Sequence, residues 1–188
     1  MRCLVCEAWS LSHICKRCQS TLLRPTPKKR HIIEDFYVYS FYGYSEIEEL
    51  LLTKHSYIGA YIYRILAKNS FESFKAHLDL EAFVIPVDDR IKKDGYSHTA
   101  ILAKALQSPK LTPRYNSLWA SNEVSYAGRS LEYRLAHPRG LRYTGPKADI
   151  VLVDDIVTTG LTLKEAYYAS KAKGASPIAA LVLADARD

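Results

Sequence analysis

DIVLVDDIVTTGLTLKE, residues 149–165, holds four consecutive apolar residues (Ile150, Val151, Leu152, Val153), then two adjacent carboxylates, Asp154 and Asp155. A turn of Thr158, Thr159 and Gly160 follows, with a helix expected from Thr162 through Lys173 and Gly174 placed to end it. A continuous apolar run is the mark of a strand buried on both faces of a parallel sheet. Loop residues at the carboxyl end of such a strand lie where open α/β sheets take their ligands. The segment Thr158, Thr159, Gly160, Leu161, Thr162 offers backbone N–H groups at a helix N-terminus together with three hydroxyls, a combination that suits a phosphate. The carboxylates cannot hold that phosphate. They can accept hydrogen bonds from sugar hydroxyls or hold a metal ion, and a diol joined to a phosphomonoester describes a ribose 5-phosphate. As loop acids they are expected to contribute little to stability. A Walker B strand has the same apolar–acidic outline, but the chain contains no G-x-x-x-x-G-K-[ST] segment, which argues against a P-loop nucleotidase.

Outward from this stretch, strands alternate with helical patterns. The reading gives strands at 36–41, 82–87 and 178–183. Helices are expected from a Ser45/Glu48 capping box through Leu52, around Ile58, Tyr61, Ile62, Ile65 and Leu66, around Phe71, Phe74 and Leu78, and around Ile101, Leu102, Ala105 and Leu106. This alternation predicts an α/β fold, a parallel sheet with helices on both faces. Residues 107–147 show no clean period, so two short strands with a mobile loop between them are expected there.

The 188 residues accommodate one medium domain and an accessory segment, and 48% hydrophobic content is enough to build a core. No apolar run reaches membrane-spanning length and the N-terminus lacks a signal-peptide core, so a cytoplasmic location is expected. The net charge of +6 is uneven: seven of the 26 Lys and Arg fall in residues 1–30 against one of the 20 acids, leaving 19 of each beyond. A basic appendage on a neutral body fits either a polyanionic partner such as nucleic acid or a solubilising tail. All four cysteines stand in that appendage as Cys3-x-x-Cys6 and Cys15-x-x-Cys18. Two such turns complete a tetrahedral thiolate set with no open position, so one structural zinc is expected, its binding supplying the folding free energy of a segment too short to fold on a core. The expected organisation is a four-cysteine zinc finger over 1–24, a Pro-rich basic linker over 25–31, and an α/β domain over 32–188.

The segment 154–162 resembles the phosphoribosyl-diphosphate (PRPP) signature of type I phosphoribosyltransferases, and nearly the whole chain resembles the ComF family (ComFC- or GntX-like). The double C-x-x-C start, the strand ending in Pro86-Val87, Lys54 just after Leu51 and Leu52, and Arg134-x-x-His137-x-Arg139-Gly140 carry that resemblance. It implies a type I phosphoribosyltransferase-like sheet with a lid before the PRPP strand, and binding of PRPP with magnesium. It further implies a role in natural transformation, in the uptake and handling of incoming single-stranded DNA, with other DNA-uptake proteins as partners that could bring the chain to the inner face of the membrane. An active phosphoribosyltransferase of nucleotide metabolism is the alternative, and a scaffold with a vestigial site is a third reading that the intact motif disfavours. The resemblance assigns Asp154, Asp155, Thr158, Thr159, Gly160, Leu161 and Thr162 to PRPP. Where the family shows Arg-Gly-Phe-Asn the chain has Asp94-Gly95-Tyr96-Ser97, and Asp88 replaces a proline after Val87. An Asp weakens an anion site, so Lys92 and Lys93, with Arg134 or Arg139 from the lid, are the candidates for the pyrophosphate. Lys28, Lys29 and Arg30 are the candidate nucleic-acid contacts, and the 14 tyrosines offer faces on which bases could stack.

Overall fold

The computed structural model describes residues 1–33, 35–91, 95–122 and 130–187, and of Leu131, Arg134 and Leu135 the backbone alone. In chain order the elements are α1 (Lys16–Leu22), β1 (Lys28–Ile33), β2 (Phe36–Gly43), α2 (Tyr44–Leu52), α3 (Gly59–Ala67), β3 (Ala82–Pro86) and α4 (His98–Ala105), then β4 (Leu111–Pro113), β5 (Leu118–Ala120), α5 (Leu131–Ala136), β6 (Leu141–Tyr143), β7 (Asp149–Val157), α6 (Leu161–Lys171) and β8 (Ser176–Asp185). A six-stranded sheet has the order β1-β2-β8-β7-β3-β4, and β5 and β6 form a separate two-stranded sheet. All pairings of the large sheet are parallel except β1 with β2. This is the α/β architecture that the alternating pattern predicts.

Along β7 alternate residues enter different cores. Val151 and Val153 join Phe41, Leu66, Val84, Leu102 and Leu181 under α2, α3 and α4. Ile150 and Leu152 join Ile85, Leu163, Ala166, Val182 and the β5–β6 residues Leu118, Leu141 and Tyr143 on the other face. Covered on both faces, the middle of β7, Ile150 to Val153, has to be apolar, which makes that run plain in sequence. From β3 the chain crosses through α4 to β4 on one side; from β7 it crosses through α6 to β8 on the other. The carboxyl ends of β3 and β7 therefore flank the point where the winding reverses, the place for a ligand crevice in such sheets.

Four local readings change. Residues 28–31 are not linker: they belong to β1, paired antiparallel to β2 from Lys28↔Ser40 onward. An edge strand bonds on one side only and tolerates charge, so Lys-Lys-Arg concealed it. The cap of α2 lies two residues earlier than Ser45, with the Gly43 N–H donating to Glu46 Oε2 at 2.9 Å. Segment 107–147 holds β4 and α5 in addition to the two expected short strands, β5 and β6. The cysteine head is not a separate unit either: Cys3, Ile14, Cys18 and Leu23 are buried in the same cluster as Phe41 and Tyr63. His13 stacks on Tyr61 at 4.8 Å, and Asn69 Nδ2 donates to Gln19 Oε1 at 3.3 Å.

Candidate sugar-phosphate site and metal centre

β7 runs four residues past its apolar stretch, to Val157, so Asp154 and Asp155 lie in the strand and not in a loop. The strand's alternation starts the two side chains on opposite faces, but at this end of the strand their carboxylate oxygens still lie within 4.8 Å of one another. Asp154 pairs in register with Val182, which packs in the α6 face; Asp155 faces α3 and α4. Only 6% of Asp155 is exposed, and three groups meet its Oδ2: Lys54 Nζ at 2.7 Å, the Tyr63 hydroxyl at 3.2 Å and His98 Nε2 at 3.6 Å. Burial opposes ionisation of Asp155, but Lys54 and then His98 outweigh it and hold its pKa well below the usual carboxylate range. The expectation that both acids, as loop residues, contribute little to stability does not hold for Asp155, which is buried and whose loss would leave the half-buried Lys54 without its counter-ion.

Asp154 behaves in the opposite way. Burial, and then the negative charge of Asp155, push its pKa up to about 7, against the pull of Arg139. The Asp155 N–H donates to Asp154 Oδ1 at 2.8 Å and orients that carboxylate. Arg139, a lid candidate from sequence, thus acts electrostatically on the acid pair. Its segment is pinned by Glu165 of α6: Oε1 accepts the Leu141 N–H at 2.8 Å and Oε2 the Arg139 N–H at 3.2 Å. Sequence reading missed Glu165, and only its place four residues after Leu161, one turn into α6, hinted at it.

Beyond Val157, the chain turns through Thr158 and Thr159 to Gly160, which caps α6 with φ 81°. A Cβ on Gly160 would stand 2.7 Å from Ile32 Cδ1, so both backbone conformation and space require glycine. Thr158, Thr159, Leu161 and Thr162 are half-buried around this turn, and the first turn of α6 leaves N–H groups without intrahelical acceptors. Arg30 braces the turn: it forms an ion pair with Asp185 and donates to the Thr158 carbonyl at 2.9 Å. A nucleic-acid candidate in sequence, Arg30 is committed to this contact. Lys29 lies 3.6 Å over the Tyr37 ring. Lys28 is exposed on β1. Lys92, Lys93 and the Arg134 side chain lie outside the described residues.

A divalent ion fits the acid pair poorly between its members. His98, Asp154 and Asp155 offer ligand atoms within 4.8 Å of one another, but the Lys54 ammonium already occupies the cation position at Asp155. Magnesium, if it accompanies a ligand, would be held by Asp154 and the ligand's own oxygens.

In the head, the Sγ atoms of Cys3, Cys6, Cys15 and Cys18 all lie within 4.8 Å of one another. Cys6 and Cys15 are 3.7 Å apart, close to the edge of roughly 3.8 Å that a tetrahedron of about 2.3 Å zinc–sulfur bonds requires. Backbone N–H groups of Cys15 and Cys18 donate to Cys3 Sγ and Cys15 Sγ at 3.3 and 3.4 Å, as thiolates need. The residues present fit a closed tetrahedral metal site. Four thiolates cannot share so small a space without a cation: burial and the neighbouring cysteines push the Cys18 thiol up to about 12.

No protein-family model matches the chain, and no curated protein matches it. Among solved structures it is similar to orotate phosphoribosyltransferase from Aeropyrum pernix, with 18% identity over 90% of this chain and 80% of that chain, and a TM-score of 0.36. A likeness that weak identifies neither a family nor a ligand. Among the described residues no helix is long and apolar enough to cross a membrane.

Proposed function

We propose that the chain is a PRPP-binding protein of type I phosphoribosyltransferase kind, carrying one structural zinc on its four cysteines. The observation that supports this most directly is the pairing, at the carboxyl end of β7, of the half-buried acid Asp154 with a hydroxyl-rich turn opening a helix (Thr158 to Thr162). The acid suits a ribose diol and the turn suits the 5-phosphate, since N–H dipoles at a helix N-terminus favour a phosphomonoester. Arg139 brings positive charge toward the acid pair, as the diphosphate of PRPP would require. Lys92, Lys93 and Arg134 complete the proposed pyrophosphate set.

The biological setting we propose is handling of single-stranded DNA in natural transformation. It is supported by the resemblance to the ComF family and by the basic charge concentrated in residues 1–30. Catalysis of phosphoribosyl transfer is the competing reading. Among the described residues no element of the site identifies an acceptor base or amine.

Calorimetric titration of PRPP with magnesium into the wild type and into a Thr159→Val, Thr162→Val variant tests the first reading. The variant should bind at least about tenfold more weakly, because hydrogen bonds to a charged phosphate are lost. Equal affinity in both proteins would reject the site. Pyrophosphate release with candidate bases would mark a transferase and not a binding protein.

A further inference from the structure

A second concave surface lies between the β5–β6 ribbon and the end of α6. It is an open groove of about 730 Å³, lined by Trp119, Ala169 and Ala172 together with three cations, Arg142, Lys147 and Lys173, and among the described residues no acid lines it. Trp119 and Arg142 stand opposite one another across the ribbon, while the residues flanking them, Leu118, Ala120, Leu141 and Tyr143, enter the core. Strand alternation therefore turns Trp119 and Arg142 away from that core. Lys147 lays its stem over the turn after α6, where a Cβ on Gly174 would stand 3.5 Å from Lys147 Cδ, and so comes beside Lys173. The walls are fixed from within: the Thr144 N–H donates to the Ser117 carbonyl at 2.9 Å, and the Tyr143 hydroxyl to the Pro146 carbonyl at 2.8 Å. Among the described residues none of the three cations forms an ion pair. Ala169 and Ala172 lie toward the far end of α6 from Thr162, about 10–15 Å away at 1.5 Å per residue, so the groove is separate from the sugar-phosphate turn.

We propose that this groove holds single-stranded nucleic acid, with a base against the Trp119 ring and the flanking phosphates on Arg142, Lys147 and Lys173. This rests on the single-strand reading above and gives the strand a place apart from PRPP. Charge and shape select the occupant. Three unopposed cations call for an anion, and an apolar floor with an indole calls for flat rings, which an acidic peptide lacks. A free nucleotide has both parts, but small-molecule sites enclose most of their ligand. Here Arg142, Thr144, Lys147, Ala172 and Lys173 are all exposed. A strand gathers affinity from several shallow contacts at once, which suits an open groove. Base identity is not read, because every base has a face to stack.

The chain has two tryptophans, Trp9 and Trp119, so replacing either leaves one fluorescent reporter. In Trp9→Phe, titration with an oligothymidylate of about twelve nucleotides should quench Trp119, because a stacked base quenches an indole. In Trp119→Phe, the exposed Trp9 should keep its emission. Arg142→Gln with Lys173→Gln, both at exposed positions, should lower the slope of log affinity against log salt by about 1.4, at about 0.7 per phosphate contact. PRPP affinity should be unchanged in that variant. Polyglutamate and thymidine 5′-monophosphate, at matched charge, should leave Trp119 unquenched. An oligonucleotide that binds without quenching Trp119, or that quenches Trp9 instead, would overturn the groove and leave single-strand binding intact. So would an unchanged salt slope, or quenching by polyglutamate or the monophosphate as strong as by the strand. Quenching that follows protein concentration alone would assign the groove to a second copy of this chain and overturn the proposal. A wild type that binds no oligothymidylate would overturn the groove and the single-strand reading together, with the PRPP titration still standing by itself.

Discussion

Asp154 and Asp155 are neighbours in the chain, with carboxylate oxygens within 4.8 Å of one another, and their opposite titration gives a signature in stability. The pKa of Asp155 is lower folded than unfolded, so its contribution is present above the unfolded value of about 3.9 and is lost as pH falls toward the folded value. Asp154, raised to about 7, holds a proton in the folded chain that the unfolded chain has released between about pH 4 and 7. Across that window stability should decline as pH rises. Asp154→Asn should therefore melt higher than the wild type at pH 8, by on the order of 1–2 kcal/mol, with the gap closing toward pH 4. Asp155→Asn should destabilise at pH 7 by roughly 3 kcal/mol, because Lys54 loses its counter-ion. Melts of the three proteins from pH 4 to 8 check both signs. The sequence announced two acids but not their division of labour, because what separates them is distant: Lys54 is 101 positions away from Asp155 and Tyr63 is 92.

The middle of β7 and most of α6 could be read directly from sequence, since Ile150 to Val153 are covered on both faces and Gly174, free to take φ 87°, closes the turn that follows α6; the helix itself ends at Lys171, two residues before the expected Lys173. β1 could not. Its charge is allowed by its place at the edge, and only the fold decides which strand is the edge. The turn between β7 and α6 is where local and tertiary demands coincide, because Gly160 needs a left-handed backbone and also makes room for Ile32 from β1. Gly160→Ala should cost roughly 2–3 kcal/mol, the left-handed penalty plus crowding, and should weaken binding of inorganic phosphate or PRPP as the turn shifts. Chemical denaturation and calorimetry on the same preparation would check the two effects; a variant equal to wild type in both would show that the turn has slack.

At the scale of the whole molecule the head and the sheet share one buried cluster, so the sequence's picture of a finger hung on a linker does not describe how the protein should unfold. Metal analysis should find one zinc per chain. Cys6→Ser should lower the melting temperature of the entire protein in one transition, where a separate head would melt ahead of an undisturbed body. Calorimetric scanning separates the two patterns. If the basic residues meet single-stranded DNA, affinity should fall steeply with salt, and Lys28→Glu with Lys29→Glu should weaken it. Arg30 is to be left out of that experiment, because reversing it would break the contact with Asp185 and the Thr158 carbonyl. The order of the strands also bears on how the protein tolerates crowding. A sheet invites another chain only at its two open margins. One margin is β1, with Lys28 and Lys29 at its start and an irregular register between His31 and Ile33; the other is β4, three residues long and closed by Pro113. Neither offers a long, flat, uncharged row of backbone groups, so the strands most prone to polymerise, β7 and β8, are kept in the interior, where aggregation cannot begin without prior unfolding.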